Sequence, residues 1–396
     1  MLAALAGALL LAGCGLLSST VEQAPEPTTA PATAPAPAAA GSKGATIERG
    51  IARWQAANWS ELPGWQADAV VHAWPALVAS CARPAPGWAE ACAGARRLAQ
   101  ADEAALRAWL QATLAPWRVE GSDGGDVGLA TGYFEPLVEA SRARRGAFTV
   151  PLYAPPADLA TRKPWYTRSE IETLPAARAA LRGREIAYVA DPLDALMLQV
   201  QGSGRLRLVD ERDASGQPKV IRAAFAGHND RPYQSVGRWL VERGAFTLEQ
   251  ASWPAIKAWA RQNPQQVPQM LAANPRMVFF REEALADASV GPLGAQGVPL
   301  TPGRSIAVDK RSVPYGTPVW LDTTEPQPWS PNPPPARPLQ RLVIAQDTGS
   351  AITGAVRADY FWGWGDGAED RAGRMKQPLR MWVLWPKGQA VPPTAN

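Results

Sequence analysis

Histidine is nearly absent from this chain of 396 residues: only His72 and His228 occur. A Ser-His-Asp triad or a multi-histidine metal site therefore has little to draw on. His228 sits in a turn-like GHND context and His72 in a helical-looking run, so both read as structural residues. Cysteine is scarce as well. Cys14, Cys81 and Cys92 are the whole complement, and no zinc spacing links them. Cys81 and Cys92 could pair across a short loop in an oxidising compartment or remain a buried free pair. Net charge is only +4, with no Lys/Arg run, which removes the usual argument for nucleic-acid binding. No Walker lysine follows the Gly-Ser-Gly at 202–204, and no dinucleotide fingerprint is complete. No metal, nucleotide or redox cofactor is expected, so acid–base chemistry falls to the carboxylates.

Proline and tryptophan are abundant instead, at 39 and 17 residues. Most of the indoles should be core, while flat indole faces also suit sugar rings. Residues 1–13 are apolar and end Leu-Ala-Gly before Cys14. This resembles a bacterial lipoprotein signal, in which that cysteine is lipidated, and Gly15 in the next position points to the outer membrane. Residues 15–44, rich in Pro, Ala and Thr, cannot bury a core and read as a tether.

The folded body then begins with a pattern read as helical from 46 to 117. Ile47, Ile51 and Trp54 have the three-to-four spacing, as do Ala105, Leu106, Trp109, Leu110 and Leu114. Residues 127–137 have strand character, as do 186–189 and 220–225, while 236–241 and 255–260 look helical. The run Met197–Leu208 reads as a strand turning on Gly202 and Gly204. On a strand, Gln199 and Gln201 would share one face, and their uncharged amides suit sugar hydroxyls and N-acetyl groups. Short strands with Pro/Gly corners from 299 to 321, and a last one at 381–385, argue for a closed β-barrel.

The chemistry concentrates in RLVIAQDTGSAITGAVRADYFWGWG, residues 341–365. An apolar strand, 342–345, leads to Asp347 on a Thr-Gly turn, and Asp359 follows twelve residues on, crowded by Tyr360, Phe361, Trp362 and Trp364. A carboxyl held among aromatic rings is partly desolvated, which raises its pKa and keeps it protonated as a general acid. Asp347, accepting backbone N–H groups on its turn, is expected to have a lowered pKa and to orient rather than protonate.

Five ordered blocks resemble the membrane-bound lytic murein transglycosylase A family: TGYFEP at Thr131, QVQGSGRL at Gln199, RPYQSVGRWL at Arg231, NPRMVFF at Asn274 and AQDTGSAITG…RADYFWGWG at Ala345. The resemblance implies a mainly β fold with N-terminal helices: a double-psi β-barrel built from 45–140 and 285–390, with a second, mostly β glycan-binding domain inserted at 141–284 and a groove between them. It implies cleavage of the β-1,4 bond between N-acetylmuramic acid and N-acetylglucosamine in peptidoglycan without water, leaving 1,6-anhydromuramic ends. Asp359 would be the single acid and then base, with Asp347 and Asp366 in support as the other members of a three-aspartate module. Tyr133, Glu135, Gln199, Gln201, Ser203 and Trp362 are the substrate-groove candidates. The partners implied are glycan strands, outer-membrane lipid through acylated Cys14, and cell-wall synthesis proteins, at the periplasmic face of the outer membrane.

Two other readings stay open on sequence. One is a non-catalytic peptidoglycan-binding lipoprotein using the same groove. The other is a dimeric aspartic-protease-like enzyme that uses the Asp347-Thr348-Gly349 turn from each chain.

Overall fold

The computed structural model describes residues 44–394 except Glu249, Trp329 and Pro331. The signal, Cys14 and nearly all of the tether lie outside the described residues.

The chain enters as a hairpin, not a helix. Strands β1 (Thr46–Arg49) and β2 (Ala52–Ala56) pair antiparallel, with Ile47 opposite Trp54. Gly50, at φ 56°, makes the turn, a conformation that favours glycine. This corrects the helical reading of the segment's start: three residues spaced three or four apart fit either periodicity over so short a stretch. Helices do follow, as α1 (Trp74–Ser80), α2 (Ala89–Arg97) and α3 (Glu103–Thr113). Asp102 caps α3 by accepting from the Ala105 N–H at 2.8 Å. A disulfide joins Cys81 to Cys92, tying α1 to α2.

The chain next forms β3 (Leu114–Gly121) and β4 (Gly128–Tyr133), then leaves for a second sheet and returns as β11 (Ser305–Val308), β12 (Pro318–Thr324), β13 (Pro338–Asp347), β14 (Arg357–Phe361) and β15 (Lys376–Pro386). The order β15-β12-β13-β11-β14-β4 closes on itself because β4 also pairs with β15, making a six-stranded barrel. β15 is long enough to serve both edges: Lys376–Leu379 pair with β4, and Trp382–Pro386 pair with β3, which carries the hairpin. β11–β13 and β14–β4 are parallel; the other barrel pairs are antiparallel. Closure removes free edges. Leu342–Ala345 are fully buried, as expected of an apolar run, and Trp54, Trp88, Trp320 and Trp385 fill the core around them.

The second sheet has the order β10-β9-β8-β5-β7-β6, from β5 (Leu137–Ser141), β6 (Val150–Tyr153), β7 (Glu185–Val189), β8 (Gly204–Arg212), β9 (Pro218–His228) and β10 (Val278–Ala284). Since β5 begins at Leu137, the second sheet starts a few residues ahead of the expected boundary at 141. Its helices are α4 (Arg168–Thr173), α5 (Pro175–Leu181), α6 (Pro192–Gln201), α7 (Val236–Glu242), α8 (Trp253–Gln262) and α9 (Val267–Ala272). A last helix, α10 (Ala368–Arg374), lies on the barrel beside β4.

The strand expected across 197–208 is half helix. Asp191 accepts from the Leu193 N–H, Pro192 opens the first turn, and Gly202 at φ 81° ends α6. Gln199 and Gln201 therefore sit about 200° apart around a helix rather than on one strand face. The two sheets meet along an apolar seam formed by Phe134, Met197, Ala368 and Ala372.

Candidate active site

The barrel register brings the two aspartates together. Ala307 of β11 is the Cα partner of Asp347 on one side and of Asp359 on the other, and Asp359 is in turn the partner of Thr131 on β4. Asp347, Ala307, Asp359 and Thr131 thus form one row across four adjacent strands. Laterally registered residues project from the same face, and alanine leaves the space between the carboxylates open.

Asp347 is fully engaged. Its Oδ1 accepts the Ala295 and Thr348 N–H groups, each at 2.9 Å, and its Oδ2 accepts the Tyr133 hydroxyl at 3.1 Å. Even so, its pKa is pushed up to about 6. Burial is the main cause and the charge of Asp359 adds to it, together outweighing the three hydrogen bonds. The expected lowering is thus reversed: the N–H groups are there, but the site is too desolvated for them to prevail.

Asp359 differs in one respect. Its Oδ1 accepts the Thr131 hydroxyl, while Oδ2 has no partner among the described residues. Burial raises its pKa, opposed by the Thr131 hydrogen bond and the charge of Arg357. Arg357 holds Thr131 in place, donating to its Oγ1 at 2.8 Å and to the Ala358 carbonyl at 2.6 Å. Neither aspartate is sealed; both keep partial exposure. Burial, with the charges of both aspartates, pushes the Tyr133 hydroxyl well above its usual value, so it remains a donor.

Thr131, Arg357 and the Ala295 N–H were assigned no role from sequence. Thr131 was within reach, two residues before Tyr133 on the same strand face. The contact to Ala295 is long-range and has no local signal. Asp309, also passed over, is buried just after β11. There burial pushes its carboxyl up, but hydrogen bonds from Arg311 and from the Arg311 and Gly354 N–H groups outweigh it and hold the pKa below the usual range. It anchors the loop ahead of β14.

The remaining candidates divide. Gln201 Oε1 accepts the Phe134 N–H at 3.0 Å, linking α6 to the end of β4, and the residue lines a cavity of about 150 Å³ with Gly132, Tyr233, Trp253 and Asn274. Gln199 is buried and accepts from Arg168. Ser203 is half-buried in the turn before β8. Trp362 packs in the seam, 4.8 Å from the Tyr360 ring and 4.9 Å beneath the Arg371 guanidinium. Gly132 is required there, because a Cβ would lie 2.7 Å from Trp362 Nε1 and 2.9 Å from Ala372 Cα.

Glu135 is enclosed, its carboxylate taken by Arg205 Nε at 2.8 Å and Arg222 Nε at 2.5 Å, with no exposed side-chain surface. With both oxygens enclosed, it has nothing left to offer a sugar. Asp366 is exposed between Gly365 and Gly367, and no bond joins it to Asp347 or Asp359 among the described residues.

Residues 129–281 match the MltA specific insert domain and residues 304–385 the 3D domain. The chain is 33% identical over 296 residues to membrane-bound lytic murein transglycosylase A of Vibrio cholerae, covering 72% of this chain and 74% of that one. It belongs to the membrane-bound lytic murein transglycosylase A family. Among solved structures it is similar to the lytic transglycosylase LtgG of Burkholderia pseudomallei, at 45% identity, a TM-score of 0.57, and coverage of 88% of this chain and 99% of that one. It is also similar to Escherichia coli MltA with bound chitohexaose, at 26% identity, a TM-score of 0.64, and coverage of 82% and 90%. The barrel interrupted by a second sheet agrees with that family's two-domain fold.

Proposed function

We propose that the protein is a lytic transglycosylase that cleaves the β-1,4 bond between N-acetylmuramic acid and N-acetylglucosamine in peptidoglycan, with Asp359 as the catalytic residue. The observation that carries this reading is the asymmetry of the two carboxylates. Burial raises the proton affinity of both, but Asp347 has all its near contacts filled, whereas Asp359 keeps Oδ2 free among the described residues. The two carboxylates are coupled across Ala307: the charge of Asp359 raises the proton affinity of Asp347.

Asp359 gives its proton to the glycosidic oxygen as the bond from muramic C1 to that oxygen breaks. The carboxylate left behind takes the proton of the muramic C6 hydroxyl as that oxygen attacks C1. One group serves as acid and then base, no water enters, and a 1,6-anhydro ring closes. Thr131, itself held by Arg357, fixes the Oδ1 side of Asp359 so that Oδ2 faces the substrate. The Vibrio cholerae relative is named a murein transglycosylase and the Escherichia coli structure holds a chitin hexasaccharide, both in keeping with a glycan substrate. A signal ending at Cys14 supports lipid anchoring at the periplasmic face of the outer membrane, in line with the relatives' membrane-bound name.

The test is to incubate the folded body with purified peptidoglycan and weigh the products, with Asp359→Asn beside it. Products one water lighter than hydrolysis products, absent with Asp359→Asn, are the expected result. Products that retain the water would make this a hydrolase. Full activity in the variant would move the acid to Asp347.

A further inference from the structure

Arg168, at the start of α4, is a buried cation with no carboxylate at ion-pair distance among the described residues. It is 7% exposed, and its contacts are all neutral: Nε donates to the Asn274 carbonyl at 3.2 Å, and Nη2 donates to the Arg276 carbonyl at 2.8 Å and to Gln199 Oε1. Glu172 acts on it only at longer range, and burial lowers its pKa to about 10. Arg49 and Arg357 are likewise buried with only neutral acceptors among the described residues, whereas the remaining buried arginines have a carboxylate. Arg205 and Arg222 share Glu135, and Arg304 pairs with Asp68. Burying a charge without a counter-charge is costly, and proteins keep such groups where a ligand supplies the missing partner.

The unfilled valences lie side by side. Arg168 Nη1 has no acceptor in the described residues, yet it is not among the sealed, unpartnered nitrogens, so solvent reaches it. A guanidinium can only donate, so Gln199 must turn its Oε1 toward Arg168. That turns its Nε2 away as a second donor, which likewise has no partner and is not sealed. Three fixed acceptors hold the guanidinium rigid. Asn274, whose carbonyl takes Arg168 Nε, lines the cavity with Gln201 and Tyr233.

We infer that Arg168 and Gln199 form a carboxylate-binding position on the inserted domain, which receives a carboxylate carried by the substrate strand. This rests on the glycan reading above and deepens it. The carboxylate has two chemical sources: the lactyl group of a muramic residue without peptide, or a peptide attached to that group. A guanidinium edge and an amide N–H match two carboxylate oxygens. A chitin oligosaccharide has no carboxylate and cannot use the position.

The experiment measures, by calorimetry, glycan binding to Asp359→Asn, which leaves strands uncleaved. Three probes of equal length are compared: chitohexaose, peptide-free murein oligosaccharide and peptide-bearing murein oligosaccharide. At least one carboxylate-bearing glycan should bind about tenfold or more tightly than chitohexaose, as charged hydrogen bonds to a buried group do; which one identifies the source. Adding Arg168→Met should abolish that preference and leave chitohexaose affinity unchanged. Gln199→Glu tests the same point without leaving Arg168 unpaired: its carboxylate occupies the ligand's place, so the preference disappears while the folded state gains an ion pair. Arg168→Lys, which keeps the charge without the planar fork, should retain only part of the preference. Equal binding of all three glycans by Asp359→Asn would overturn the inference while sparing the glycan reading. So would a preference that survives both Arg168→Met and Gln199→Glu. Binding of none of the three would overturn both.

Discussion

Replacing Tyr133 with phenylalanine removes one atom from the site and makes a sharp demand on its electrostatics. The ring remains, and with it the contact to Phe361 at 5.1 Å between centroids. What goes is the hydroxyl donated to Asp347 Oδ2 at 3.1 Å. Such a bond favours the charged carboxylate, so its loss raises the pKa of Asp347 from about 6. A hydrogen bond to a charged group contributes roughly 1.5–3 kcal/mol, which at about 1.4 kcal/mol per unit is a rise of roughly one to two units. On the proposed mechanism the cycle begins with Asp359 protonated, and the charge of Asp359 when ionised is one of the causes that hold the Asp347 pKa up. The rate therefore falls as Asp359 loses its proton, and the limb set by Asp347 moves with its pKa because the two titrate as a coupled pair. Tyr133→Phe should move the Asp347 limb up by about one to two units. The assay is kcat/KM for release of anhydro products across pH 4.5 to 9. A profile whose limbs stay in place while the rate drops uniformly would refute the coupling and leave Tyr133 only a packing or sugar-binding role.

Thr131→Val removes the hydroxyl bound by Asp359 Oδ1, so the Asp359 pKa should rise and the falling limb shift alkaline, with kcat reduced at every pH; an unmoved falling limb would assign that limb to another group. Glu135→Gln leaves Arg205 and Arg222 without their buried anion, and denaturant melts should show a loss of about 3–5 kcal/mol. Gly132→Ala places a methyl against Ala372 Cα and Trp362 Nε1, both in the seam between the sheets; a stability loss of about 1–3 kcal/mol should show as a lower Tm. Reducing the Cys81–Cys92 disulfide frees a short loop of sequence separation 11, and about 2–3 kcal/mol of stability should be lost with little change in the pH profile.

What could be read from the sequence depended on whether the deciding contact was local. The apolar run 342–345 and the Asp347 turn were legible because a buried strand and a Thr-Gly turn are written in adjacent residues. Spacing along the chain does not reveal that Ala307 stands between Asp347 and Asp359; only the closed register of β13, β11 and β14 does. Gln199 and Gln201 misled for a related reason. Alternating apolar and polar residues over so few positions fit a strand, yet Asp191 and Pro192 had already started a helix that Gly202 ends. The same misreading hid Arg168, because on a helix Gln199 points inward to that arginine instead of sharing an open face with Gln201. The Asp347 pKa turned on a balance of magnitudes: turn N–H groups can be inferred from Thr-Gly, but desolvation and the charge of Asp359 come from strands assembled at long range. A functional site therefore resists sequence reading where it breaks a local rule, as with a carboxylate that stays hard to ionise despite three donors, or an arginine buried without its anion. Those two residues are where substitution should separate binding and proton transfer from folding.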